Sequence, residues 1–547
     1  MGLAEERKRP KLPVWAAWLI GYGCVLLLAV GLVYYWRVAF LLSELPAVPL
    51  TLGVAAVFSL LYLALFLLQR FCRQDINLKA ALCVFLLGVL FCFANAPLQA
   101  PDESEYFLRA NAIARGHFDY DYERGYPDDV GLLREHFPGM LNHRVQYEGH
   151  PLPAQALADY AQDLAAGEKP AEATQEPIIF MVLQFLPQAL GIFLAKVLGF
   201  SALGQMYAAR LLNLVCYTVL CYFAFRNCDK YRGVFFAFAL LPLSLFMGAS
   251  LSYDCTLLGL YYLMLSYFCK AEVHNRDVVV FGLAALLAAL LKPTSIVLVA
   301  VLLLIPPARW KTKFHPWLSV GAMMALGVLL YFLMGRLNGL LTHNYPEVLP
   351  RGMGEEAAPA TQIAFALSHL PAFTSRVGLT LYENAGFLFR LGDFGWMDLS
   401  IPLAGGLSLL SPCAASALGI QQKEDAKYTT VVALFLMALL YGGAVLAAMY
   451  FFETDLYSIR IVGVQPRYLL PAFLLLFMLA SILLGKAVRP RLDTAEAAQR
   501  TETVTLWIAC AVAFVSVILL FQCNFIGQWL PKAEGGWELV NLFGRLA

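Results

Sequence analysis

The sequence predicts an all-α polytopic membrane protein of about 13 transmembrane helices, with a large first outer loop bearing interfacial helices. Three observations predict it. Of 547 residues, 60% are hydrophobic and only 14% charged, where a water-soluble domain runs about 45–50% apolar and about 25% charged. The apolar residues gather into runs of roughly 20, the length an α-helix needs to cross a bilayer. Lysine and arginine concentrate in alternate connections, which sets an orientation because these residues resist translocation.

The spans follow in order. The run 14–36 is longer than the core of a secretory signal and lacks a small-residue cleavage site, so it is expected to remain as an anchor. Further spans are expected at 48–69, 77–97, 204–225, 231–250, 254–270, 317–340, 428–450, 466–487 and 504–524. Runs 277–291 and 293–307 flank Lys292-Pro293 and read as a tight pair, because Pro293 would break one long helix. The run 398–420 carries Pro402 and Pro412 and completes the set.

With the N-terminus cytoplasmic, the inner connections hold Arg7, Lys8, Arg9, Arg70, Arg73, Arg226, Lys230, Arg232, Lys270, Arg276, Arg309, Lys311 and Lys313, then Lys423, Lys427, Lys486 and Arg489. The short outer connections hold Arg37, Lys292, Arg460 and Arg467. This pattern requires PIIFMVLQFLPQALGIFLAKVLG, 177–199, to lie along the outer surface; a crossing there would invert everything downstream. Residues 1–75 then form two extra N-terminal spans. A core follows at 76–340, its outer loop running over 98–202. A second outer loop covers 341–399, and 400–547 holds the C-terminal transmembrane helices and an outer tail. Loops this long commonly carry function.

Several classes are excluded. The 12 cysteines lie in or beside apolar runs with no CxxC or zinc spacing, and read as small buried hydrophobes. The net charge of +1 speaks against nucleic acid as a partner. The chain has no phosphate-binding P-loop, no HExxH, no GxSxG and no glycine-rich dinucleotide loop.

Five stretches carry candidate chemistry. In PDESEYFLRANAIARGHF, 101–118, Pro101 and the acids after it read as a helix start; Asp102 and Glu103 either stabilise that helix end or act on a substrate, Asp102 as a general base. In ASLSYD, 249–254, Asp254 follows Tyr253 and opens a span, as a cap or as a functional carboxylate. In LLKPTS, 290–295, Lys292 either snorkels or meets a lipid phosphate. In RLGDFGWMD, 390–398, Asp393 and Trp396 sit in a glycine-broken turn before a span. In VGVQPRYLLP, 462–471, Arg467 stands between Gln465 and Tyr468, as an interfacial anchor or as a phosphate fork. All five fall on the outer side of this topology.

The block PDESEYFLRANAIARGHF resembles the predicted membrane-protein family known as domain of unknown function 2142. So do LLPLSLFMGASLSYDCTLLGL, LAALLAALLKPTSIVLVAVLLLIP, LGDFGWMDLSIP and VGVQPRYLLP, in the same order, over roughly 80–545. That family is similar to the C-type (GT-C) glycosyltransferases, and the resemblance implies a GT-C-like helical bundle. It further implies an enzyme that moves a hexosyl or pentosyl group, with inversion, from a polyprenyl-phosphate donor to an extracytoplasmic glycan or lipid acceptor of the cell envelope. By that resemblance Asp102 is the base, Glu103 orients the base or acceptor, and Arg467 and Lys292 meet the donor phosphate. Many relatives carry a histidine-proline stretch at the end of the first loop; here it is EPIIF, 176–180. No metal ligand is assigned and no cofactor is certain, although the Asp102–Glu103 oxygens suit a divalent cation. The competing expectation is a transporter or flippase, or an assembly partner, for a lipid-linked glycan.

Overall fold

A computed structural model describes residues 14–40, 47–72, 75–138, 153–172, 174, 182–344, 359–395, 397, 399–418, 427–456, 458–487, 495–531 and 537–541. Among these, eight helices are long and apolar enough to cross a membrane. They include Ile76–Ala94, Ala202–Asn227, Pro316–Leu341 and Tyr428–Glu453. The protein is thus an α-helical polytopic membrane protein.

The other five expected spans are shorter or divided helices. The run 231–250 splits into Arg232–Ala239 and Pro242–Gly248. Pro242 lacks the N–H that would continue the ladder and forces the residue before it out of helical geometry, and Leu241 has φ −54°, ψ 138°. The run 254–270 is the helix Asp254–Ser266 with a 3₁₀ turn after it. Pro293 ends the helix Asn275–Leu291 as expected, and Pro293–Leu304 continues as 3₁₀ turns. The run 398–420 becomes Pro402–Ser408 and Leu410–Leu418. From the expected surface segment 177–199, residues 182–199 are described and hold the helix Leu186–Val197.

The chain divides into two compact units, Met1–Lys79 with Phe525–Ala547, and Ala80–Asn524. In the first, the helices Val14–Ala39 and Ala47–Phe71 pack side by side. Trp18 meets Tyr62 and Phe66 edge-on, and the Tyr62 hydroxyl donates to the Trp18 carbonyl at 2.7 Å. Gly527–Pro531 and Trp537–Asn541 pair as an antiparallel hairpin.

In the second unit the helix Ala202–Asn227 is central. Leu186–Val197 packs on one side of it and Asp254–Ser266 on another. Two short parallel pairings tie loops at each end of the bundle: Tyr120–Asp121 with Thr342–His343, and Val273–His274 with Trp310–Lys311. The helix Glu103–Ala114 is almost wholly buried and contributes Phe107, Leu108 and Ala110 to a core shared with Ile192, Met206 and Ala209. That core fixes the segment bearing Asp102 against the bundle.

Candidate functional site

The site is built from the face of one apolar helix. Along Ala202–Asn227, Arg210, Asn213 and Tyr217 stand three and four residues apart, on one buried stripe. Each side chain holds a loop. Arg210 donates from Nη1 to the carbonyls of Cys92 and Asn95, both at 2.9 Å, and from Nη2 to that of Ala96 at 2.8 Å. Asn213 donates to the carbonyls of Ser250 and Ser252 at 2.8 and 2.9 Å. The Tyr217 hydroxyl donates to the Ala239 carbonyl at 3.0 Å.

Glu103 joins two of these loops. Its carboxylate accepts from Arg210 Nε at 2.8 Å and Nη2 at 2.6 Å, from the Leu251 N–H at 2.9 Å and from the Ala100 N–H at 3.2 Å. Four donors fill this carboxylate, and both side chains of the pair are fully buried. An ion pair enclosed in this way is stable only because its hydrogen bonds are complete.

Asp102, next to it, takes the opposite environment. Its backbone lies in the left-handed region, φ 58° and ψ 9°, which aspartate tolerates better than most residues. The residue is partly exposed, and the Tyr106 hydroxyl donates to its Oδ2 at 3.2 Å. Tyr106 packs edge-on against Tyr253, ring centroids 5.4 Å apart, and Phe185 completes an aromatic trio. Burial, and then the neighbouring Tyr253, Asp102 and Asp254, push the Tyr106 hydroxyl well above its ordinary value. Burial and Asp254 do the same to Tyr253. Both phenols therefore stay protonated, and that of Tyr106 donates to Asp102.

Beyond Tyr253 the chain turns into Asp254, whose Oδ2 lies 3.6 Å from Arg467 Nε. Arg467 also donates from Nη2 to the Tyr468 hydroxyl at 2.8 Å. Lys292, at the break made by Pro293, rests its Nζ 3.7 Å from the centre of the Tyr468 ring. Asp254, Lys292, Arg467 and Tyr468 line one cavity with Tyr261 and Tyr441. Its volume is about 20 Å³, room for one water-sized group. The Arg467 side chain is only 7% exposed, and its Nη1 has no hydrogen-bond acceptor among the described residues. Two cations against one carboxylate leave the cavity wall with a net positive charge.

A family model described as "Predicted membrane protein (DUF2142)" matches residues 85–476. The chain belongs to the DUF2142 family. No curated protein and no solved structure matches it. The matched span of this DUF2142 chain contains every candidate residue named above, from Asp102 to Tyr468.

The DUF2142 fold gathers six of the ten candidates into one continuous group: Asp102, Tyr253, Asp254, Lys292, Arg467 and Tyr468. Asp102 does not line the cavity; it is connected to it through Tyr106 and Tyr253. Glu103 sits behind Asp102 with its carboxylate filled. Gln465 is buried just before Arg467. Asp393 does not line the cavity; it sits in a small antiparallel hairpin with Leu399–Ser400 and is paired to Arg390 at 2.6 Å. Trp396, like the stretch 176–180, lies outside the described residues. Among the described residues no group of three or more His, Cys, Asp or Glu side chains is arranged to hold a metal ion.

Arg210 and Tyr106 were missed by the sequence reading. Arg210 had a signal: an arginine at the ninth position of a 26-residue apolar helix, where a charge is costly unless it has a task. Tyr106 had none, since a tyrosine on a buried helix is ordinary.

Proposed function

We propose that this chain is a GT-C-like membrane glycosyltransferase of about 13 crossings in a plasma membrane. The N-terminus is cytoplasmic, and 98–202 lies on the extracytoplasmic side. It moves a sugar from a polyprenyl-phosphate donor to a glycan or lipid acceptor, with inversion. The reading rests above all on Arg467, whose unmet Nη1 faces a positively charged cavity beside Lys292. A guanidinium fork of this kind fits phosphate oxygens. At about 20 Å³ the cavity has no room for a sugar, so donor entry requires it to widen.

In the transfer step Asp102 takes the proton of the acceptor hydroxyl. The freed oxygen bonds to the anomeric carbon from the face opposite the phosphate. The sugar–phosphate C–O bond breaks, its electron pair goes to the phosphate, and polyprenyl phosphate leaves. Arg467 and Lys292 stabilise the charge that grows there. The Tyr106 hydroxyl orients the base. Glu103 acts indirectly: by holding Arg210, Ala100 and Leu251 it fixes the backbone that presents Asp102.

The test uses the full chain in lipid nanodiscs. Asp102→Asn is expected to cut transfer from a polyprenyl-phosphate hexose at least ~100-fold, the lower end of what a general base contributes. Binding of undecaprenyl phosphate should persist. Full transfer by Asp102→Asn removes the base assignment, and a wild type that does not bind undecaprenyl phosphate removes the donor class. A wild type that moves the lipid-linked sugar across the bilayer without transferring it is a flippase.

A further inference from the structure

A second site lies at the opposite end of the helix that Asp102 opens. Glu103–Ala114 is about 18 Å long at 1.5 Å per residue, so its far end is well separated from the Arg467 cavity. There Gly116, at φ 85°, reverses the chain, with the His117 N–H bonded to the Ala112 carbonyl at 3.0 Å. The turned segment and the helix Leu186–Val197 enclose an open groove of about 730 Å³.

The groove has two kinds of wall. On Leu186–Val197, the residues Gln188, Ala189, Ile192 and Ala195 face inward and are buried. Leu186, Leu190, Phe193 and Val197, spaced three and four apart, form an outward apolar stripe, each 45–69% exposed. Phe118, on the facing segment, is 55% exposed. An apolar stripe of this extent on a short surface helix marks contact with lipid.

The second wall is cationic. Arg115 and Lys196 both line the groove. Lys196 is exposed; Arg115 is half-buried, and its Nε is enclosed with no hydrogen-bond acceptor among the described residues. Among neighbouring acids, Asp119 is paired with Arg124 at 2.7 Å, whereas Asp129 accepts from the Ala202 N–H at 3.1 Å and also acts electrostatically on Arg115; neither acid lines the groove. His117 sits in the resulting field: desolvation, then Arg124, with Arg115 and Lys196 adding to it, hold its imidazole below the ordinary value despite Asp119. It therefore adds no charge of its own at neutral pH.

We propose that this groove binds an anionic phospholipid, its acyl chain along the Leu186–Leu190–Phe193–Val197 stripe and its phosphate between Arg115 and Lys196. The charge fits an anionic headgroup and the apolar wall fits its chain. The inference does not rest on the proposed transfer reaction, because the two sites share no residue.

Native mass spectrometry of the full chain in neutral detergent tests it, with phosphatidylglycerol or phosphatidylcholine added. The wild type should retain phosphatidylglycerol about 25-fold better, at about fivefold for each cation near the lipid phosphate. The double variant Arg115→Gln/Lys196→Gln should lose that preference while keeping undecaprenyl phosphate binding at the Arg467 cavity. Leu190→Trp, an exposed position that narrows the groove, should weaken retention of both lipids. Both cations also sit at helix C-termini, where they offset the helix dipole. If that were their sole role, the double variant would melt earlier with its lipid preference intact, and the proposal would fail. It also fails if wild type retains both lipids equally, or if millimolar inorganic phosphate displaces phosphatidylglycerol, since the site would then recognise free phosphate.

Discussion

Glu103 and Arg210, 107 positions apart, form a two-pronged ion pair sealed from solvent at 2.6 and 2.8 Å. Between them they accept from or donate to the backbone of five further residues: Cys92, Asn95, Ala96, Ala100 and Leu251. The pair is thus the joint at which a membrane helix, the Asp102 turn and the loop before Asp254 are fastened together.

Breaking one side leaves a buried charge. Glu103→Gln or Arg210→Met is expected to cost about 3–5 kcal/mol. The readout is unfolding of the purified chain in detergent. In a double-mutant cycle the combined variant should lose less than the sum of the two, because no uncompensated charge remains. A melting temperature for Glu103→Gln equal to wild type would contradict the role of the pair.

Arg467 should behave differently, since one end of its guanidinium is unmet. Arg467→Lys keeps the charge and loses the fork, and is expected to weaken undecaprenyl phosphate binding at least ~10-fold, the effect of losing a charged hydrogen bond. Thermal stability should move far less than for Arg210→Met. Equal binding by Arg467→Lys and wild type would separate this residue from phosphate recognition.

Gly191 lets two helices touch. A Cβ there would lie 2.6 Å from the Ala208 carbonyl oxygen and 2.7 Å from the Ala209 Cα, both backbone atoms. Gly191→Ala must push Leu186–Val197 away from Ala202–Asn227, at about 1–3 kcal/mol. At Gly378, exposed inside the helix Leu370–Glu383, an added Cβ would meet nothing within 4 Å. Gly378→Ala should therefore be neutral or stabilising, by up to about 1 kcal/mol from the lower chain entropy. Equal thermal shifts for the two would refute the close packing.

Asp119 predicts a dependence on pH. Desolvation opposes its charge, but the Arg124 hydrogen bond at 2.7 Å, its own backbone N–H and the Arg124 and His343 charges outweigh it and hold the carboxyl below its ordinary 3.8. The unfolded chain then takes up the proton first as pH falls. The stabilisation is complete above pH 3.8 and is lost as pH drops through the folded value. Asp119→Asn should destabilise by about 0.5 kcal/mol at pH 7, because the pair is partly exposed, and by less at pH 3. Thermal scans at the two pH values check this, and a larger gap at pH 3 would reverse the sign.

The sequence by itself determined what depends on neighbouring residues. Apolar runs of about 20 residues specify long membrane helices. A proline specifies a break, which is why the helix before Lys292 ends at Leu291. Pro242 carried the same signal inside the expected span 231–250, and there hydropathy alone was too coarse a guide. The candidate cations and acids were legible because charge at the end of an apolar run is costly and so draws notice.

Only the tertiary structure decided which charges meet. Asp102 and Glu103 are adjacent and chemically alike, and local pattern assigns both to one helix start. Packing turns one carboxylate inward onto Arg210 and leaves the other beside Tyr106 at the surface. Likewise Lys292 and Arg467 became one cationic wall through contacts between segments more than 60 residues apart. Hydrophobic periodicity fixes each helix and the face it buries. The partner of a buried charge is set by long-range packing, which local pattern does not encode.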